Sequence, residues 1–312
     1  MHMFAAFYFV IVLTIEKEWN ISYDQLIRLW SLGALLVGLG AIPFGWLSDR
    51  WSRSGTMTIM FIGMGLASIL CGLSNSISFL FISLSLLGFF CSIYHPVGIP
   101  WVINSANKQG RALGINGIFG GVGIGSGAFV AGTLTELVNW QLAFILPGFI
   151  SIFIGCILIY LIFIDKISYK NFFISQDKQD HSRNEMIVIA LIMLLSMFAL
   201  GLSFHNTQTA LPKVFEIRIG NINSIQIGLI IGIIYFISGA TTFVGGIMAD
   251  RFNLKAIYLI GIFLQFPCYL GIAYISGYSL VILCILAAVF NASVLPTENL
   301  LLSKFTPQKY HG

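Results

Sequence analysis

The chain has 312 residues, of which 57% are apolar and 9% charged, with a formal net charge of +4. Soluble domains carry roughly 25% charged residues, so this composition excludes a water-soluble fold. The cations are spread over short connections, which excludes a nucleic-acid surface, and runs such as VIVLTI and LIIGIIYFI do not alternate, which excludes a β-barrel.

Helices of about 20 apolar residues cross a hydrocarbon core of about 30 Å, and ten such spans are predicted in chain order. They are Met1–Thr14, Leu26–Ser48, Thr56–Leu73, Ile77–Asn104, Ala112–Leu134, Gln141–Ile164, Met186–Leu211, Ile225–Ala249, Ala256–Ser276 and Tyr278–Leu302. The first rises only ~21 Å, too short to cross alone, so it is expected to be re-entrant or the remainder of a longer span. The polar stretch 165–185 contains eight charged residues and reads as a linker between bundles 1–164 and 186–312. Cys71, Cys91, Cys156, Cys268 and Cys284 all lie in apolar runs without CxxC spacing, so neither a disulfide frame nor a metal site is expected.

Orientation follows from Lys and Arg rather than from net charge. Of sixteen such residues, Lys17, Arg28, Lys213 and Arg218 fall on one side and the other twelve on the opposite side. The linker and the loops after the second and eighth spans are therefore expected to face the cytoplasm of an inner (plasma) membrane.

Those two loops are related. GWLSDRWSR begins at Gly45, and GGIMADRFNLK begins at Gly245. A shift of 201 places Gln25 on Gln226, Gly38 on Gly239, Gly45 on Gly246, Asp49 on Asp250 and Arg50 on Arg251; a shift of 200 places Phe90 on Phe290 and Pro96 on Pro296. The chain is thus an internal duplication of a six-span unit. Six is even, so both copies sit the same way up, as in one class of secondary transporter. Each aspartate ends its helix, where the macrodipole disfavours an anion, and needs a cation such as Arg53 or the amino end of another helix.

At these residues the sequence resembles the major facilitator superfamily, whose signature Gly-x-Leu-x-Asp-Arg-x-Gly-Arg stands here as Gly45-Trp-Leu-Ser-Asp49-Arg50-Trp-Ser52-Arg53. Ser52 and, in the second copy, Asn253 replace the signature glycine; Asn is expected to reach φ > 0 there. The resemblance implies two parallel six-helix bundles, here with about ten of twelve spans and truncation at both ends. It also implies a cytoplasmic gate of Gly45, Asp49, Arg50, Arg53, Arg111, Gly246, Asp250, Arg251 and Lys255. In it Asp250 meets the start of the fifth span near Arg111, and Asp49 meets an eleventh span.

In the same resemblance, spans one, four, seven and ten line a central cavity. Polar residues inside spans are costly and face a cavity or a partner. YHPVG puts His95 beside Pro96, which frees a backbone carbonyl and kinks the helix; a similar His-Pro occurs in drug-efflux members, fosmidomycin-resistance-like ones among them. SFHNTQT supplies His205, Asn206 and Gln208; His205 and Gln208 share a helix face. Glu298 and Asn116 complete the candidates for substrate or proton coupling, with His2 beside them. Gly114, Gly123, Gly127 and Gly132 follow the family's antiporter glycine spacing, although close helix packing accounts for it equally.

The expected function is a secondary transporter of a small organic solute, with protons as a candidate coupling ion and export slightly favoured. Proton-linked uptake and a transport-inactive sensor remain the alternatives. The partners expected are a small-molecule substrate and the lipid bilayer, with no cofactor, no metal and no nucleic acid, and the chain is expected to be a monomer. No HExxH, GxSxG or P-loop points to an enzyme.

Overall fold

A computed structural model describes residues 1–168 and 183–305; most of the linker and the final seven residues lie outside that range. Among the described residues there is no strand. Nine helical segments there are long and apolar enough to cross a membrane, and they fall on the second to tenth predicted spans.

The first span corresponds to α1, His2–Trp19, which ends on Asn20 in the left-handed region at φ 54°. The helix runs five residues past the predicted end at Thr14 and takes in Glu16, Lys17 and Glu18. The helix continues because two of these charges are paired: Glu16 with Lys213 and Lys17 with Glu216. α1 is the buried centre of the molecule, with Phe7, Tyr8, Phe9, Ile11 and Leu13 all in the core.

The second span is broken into α2 (Tyr23–Arg28), α3 (Ser31–Leu39) and α4 (Ala41–Arg50). Pro43 lacks the N–H that would bond the Leu39 carbonyl, and the helix breaks at Gly40 accordingly. α5 (Arg53–Gly72) follows, and the fourth span consists of α6 (Ile77–Cys91) and α7 (Tyr94–Asn104). The break at Ser92–Ile93 lies one turn before Pro96, where a proline disrupts the ladder.

α8 (Gln109–Leu137), α9 (Trp140–Phe163), α10 (Arg183–Ile219), α11 (Ser224–Arg251), α12 (Leu254–Tyr274) and α13 (Ser279–Phe305) complete the order. Asn223 opens α11 with a reciprocal capping box to Gln226.

The two residues at the signature-glycine position are caps. Ser52 (φ −165°) accepts from Gly55 N at 3.1 Å and starts α5. Asn253 accepts from Ala256 N at 3.1 Å and starts α12 at φ −65°. The left-handed conformation expected of Asn253 is therefore corrected. A side chain that caps an orphan amide replaces the glycine turn.

α8 and α11 pack antiparallel along their whole length through small residues. A Cβ on Gly121 would lie 2.5 Å from Gly239 Cα, and one on Gly125 would lie 2.8 Å from Gly232 O. At one end Gly132 meets Ser224, and at the other Gly246 meets Gly110. In a bilayer, where burial against lipid gives no hydrophobic gain, such backbone approach is what holds helices together. The duplicated position behaves differently: a Cβ on Gly38 would meet nothing within 4 Å. Large apolar side chains such as Phe163, Phe263 and Ile42 are exposed on the outside, as a lipid-facing surface requires.

Candidate functional site

The break before Pro96 leaves Tyr94 half-buried and His95 exposed at the start of α7. His2 of α1 faces both, with ring centroids 5.5 Å from Tyr94 and 5.7 Å from His95, each edge-on. The Tyr94 hydroxyl donates to Asn116 Oδ1 of α8 at 2.7 Å. One turn further on, Gly120 leaves room for the His2 ring. His205 of α10 is exposed and within electrostatic reach of His95. Helices α1, α7 and α8 thus bring His2, Tyr94, His95 and Asn116 into one cluster. Imidazoles bind and release protons near neutral pH and hydrogen-bond in both states.

Two predicted residues, Gln208 and Glu298, differ from His205. Gln208 is buried, so it does not share the exposed environment of His205, whereas Asn206 is exposed as His205 is. Glu298 is buried near Tyr258, whose hydroxyl shares a 2.7 Å hydrogen bond with Ser196. That places it toward the DR loops rather than among the histidines. Among the described residues no group of three His, Cys, Asp or Glu is placed to hold a metal.

The two DR loops meet their aspartates' need for a partner in the two different ways available. Asp250 accepts from the backbone N–H of Gly110 and of Arg111, both at 2.9 Å, so it sits on the amino end of α8. Orphan amides and the helix dipole both favour an anion there. Arg111 contributes its backbone, and its side chain is exposed. Asp49 lies 3.9 Å from Arg53, which is 6% exposed. Arg50 stacks over Trp46 at 4.5 Å, Gly45 is buried against Ser48, and Arg251 and Lys255 are exposed.

At the opposite end the halves meet through charges the sequence reading assigned only to loops. Lys213 Nζ of α10 lies 2.7 Å from Glu16 of α1 and 2.7 Å from Glu216, and Lys17 lies 3.3 Å from Glu216. Tyr23 of α2 donates its hydroxyl to the Thr209 carbonyl at 2.7 Å and lies under Lys213. Glu16 and Lys213 are 197 residues apart, and no periodicity in one helix reports its register on another.

The glycines of α8 divide between two faces. Gly114 and Gly132 lie against α11, while Gly123 and Gly127 lie against Met3 of α1. Packing accounts for all four, so their spacing carries no argument for export.

Residues 1–312 match the family described as Major Facilitator Superfamily. The riboflavin transporter RibZ of Clostridioides difficile (strain 630) is 31% identical over 147 residues, 46% of this chain and 32% of that protein. An uncharacterized transporter of Buchnera aphidicola subsp. Schizaphis graminum is 24% identical over 242 residues, 75% of this chain and 57% of that protein. The chain therefore spans about a third to just over half the length of these curated relatives. In fold it is similar to a bacterial homologue of the human lysosomal transporter Spinster in an inward-facing, occupied conformation. The TM-score is 0.64 at 14% identity, covering 95% of this chain and 70% of that one.

Proposed function

Because this chain belongs to the major facilitator superfamily, we propose that it is a secondary active transporter that carries a small organic solute across a membrane by alternating access. What supports this reading is a cluster of His2, His95 and Asn116, taken here to line a central chamber, together with two separate polar contacts that join helices at opposite ends. Asp250 on α8 closes one end, and the Glu16–Lys213–Glu216 cluster closes the other. Opening one closure while the other holds exposes the chamber to one side at a time.

Protons are the coupling ion in this reading, with His95 and His205 as carriers. The DR end faces the cytoplasm of the plasma membrane, and the working unit is a monomer. The similarity to a riboflavin transporter makes heteroaromatic solutes the first substrates to assay, in either direction. The test is flux in proteoliposomes under an imposed proton gradient of each polarity, with riboflavin and a panel of small heteroaromatics. Gradient-dependent flux of any one supports the reading, and no flux across the panel in either direction would end it.

Where flux is found, His95→Ala and His205→Ala should each slow it about tenfold or more. A hydrogen bond to a charged group contributes roughly 1.5–3 kcal/mol. Both variants should also flatten the dependence of rate on pH, because the imidazole is the group that changes charge. Wild-type pH profiles in both variants would remove histidine coupling.

A further inference from the structure

Beside the chamber lies a recess that the histidines do not reach. Phe204 separates the two: its ring meets the His205 ring edge-on at 5.7 Å and the Tyr235 ring at 6.3 Å. The recess is a cavity of about 30 Å³. One water needs roughly 10–15 Å³ on this scale, so it holds about two waters or a head group of that size.

Four helices each place a neutral hydrogen-bonding side chain on its wall: Thr207 of α10, Ser238 of α11, Tyr269 of α12 and Asn291 of α13. None of its lining side chains is charged. A site needed only for packing would be filled with apolar side chains, since buried polar groups cost free energy unless they are paired.

Two of these groups are paired within the protein. Thr207 donates to the Ser203 carbonyl at 2.8 Å. Ser238 donates to the Ala288 carbonyl at 3.4 Å. Asn291 differs. It gives one amide hydrogen to Gln265 Oε1 at 3.3 Å, and Gln265, 2% exposed, is itself anchored on the Gly261 carbonyl at 3.4 Å. Gln265 therefore positions Asn291 from behind. Among the described residues, the carbonyl oxygen and second amide hydrogen of Asn291 have no partner. An amide offering one acceptor and one donor in a plane matches a ligand edge that offers a donor beside an acceptor, as in side-chain amide recognition of adenine.

We propose that this recess is a recognition subsite for a neutral carboxamide or lactam edge carried on an aromatic ring. The edge bonds Asn291, and the ring lies toward Phe204 and the chamber. A carboxylate is disfavoured, because no lining cation compensates its desolvation. The inference deepens the transport reading and rests on it for the ligand's route of access.

The experiment is equilibrium binding of radiolabelled nicotinamide to the protein in lipid nanodiscs, competed by nicotinate and by N,N-dimethylnicotinamide. Nicotinamide carries both donor and acceptor, the dimethyl compound lacks the donor, and nicotinate carries a charge. The expected result is saturable nicotinamide binding, with both competitors weaker by about tenfold, the size of one lost buried hydrogen bond. Asn291→Leu, close in volume, should weaken nicotinamide by about tenfold as well, and Tyr269→Phe by a smaller factor. Absence of saturable binding, or equal competition by all three compounds, would overturn the subsite even if Asn291→Leu failed to fold. The expected competition order in a protein without flux would keep the subsite and end the transport reading. Flux without that order would do the reverse.

Discussion

Gly121→Leu should remove most of the folded protein, whereas Gly38→Leu should leave it unchanged. Both glycines lie in long apolar helices, so composition and helix propensity do not distinguish them; leucine is the better helix former at either site. Their surroundings do. A Cβ at Gly121 would stand 2.5 Å from Gly239 Cα and 2.6 Å from the Tyr235 carbonyl, and neither is a flexible side chain that can swing away. Gly114 and Gly239 are similarly confined at 3.0 Å from facing backbone atoms. Overpacking costs roughly 1–3 kcal/mol where side chains can adjust. Backbone against backbone has no such adjustment, so α8 and α11 must part. That parting also breaks the hydrogen bonds from Gly110 and Arg111 to Asp250. Gly38 faces open space, and a surface substitution of that kind changes stability by about 0.5 kcal/mol or less. Folded yield and thermal midpoint by fluorescence-detected gel filtration decide the matter. Equal losses in the two variants would mean that α8–α11 contact is not what holds the molecule together.

Lys213→Glu should open the end of the molecule opposite the DR loops, and adding Glu16→Lys should close it again. Fully exposed ion pairs contribute about 0–1 kcal/mol, and breaking a buried one costs roughly 3–5 kcal/mol. The Lys213 and Glu16 side chains are 28% and 22% exposed, so the contribution lies between these limits. An intermediate of about 1.4 kcal/mol shifts the balance of closed and open forms roughly tenfold. Reversal also places a third carboxylate beside Glu16 and Glu216, leaving Lys17 alone to offset them. The reporter is Thr209→Cys, just inside the closure, where the Thr209 carbonyl receives Tyr23. Cys156, the exposed native cysteine, is first replaced by serine. Labelling by an impermeant maleimide from that side should rise about tenfold in Lys213→Glu and fall back in the double reversal. Unchanged labelling in the single variant, or no recovery in the double, would show that the cluster decorates the mouth without closing it.

Much of the architecture was legible because the bilayer imposes a coarse rule: about 20 apolar residues per crossing. Nine predicted spans matched nine long apolar helices for that reason. Physics alone required a cation or an amino end for Asp250, and the family resemblance implied which of the two it meets. The limit of that logic lay in the third dimension. Nothing in α1 alone reveals that Glu16 meets Lys213, and α1 was read as ending one turn early. Ser52 and Asn253 were read through the glycine they replace, although a side chain able to cap an amide offered another solution. Asn291 and Gln265 stand in different spans as single amides, and only the packing of α12 on α13 makes them a pair. His95 and His205 were singled out because each is an ionisable group within an apolar run, and the structure sets His2 beside His95.

α8 presents glycine to neighbours on two sides, Gly114, Gly121 and Gly125 toward α11 and Gly120, Gly123 and Gly127 toward α1. Interdigitated side chains act as teeth, so displacing such helices requires each tooth to climb out of its groove. A surface made largely of bare backbone has few teeth. The contact intolerant of an added leucine is therefore also one with few side chains to resist sliding. α8 thus offers bare backbone to a helix of each copy, α1 from its own and α11 from the other.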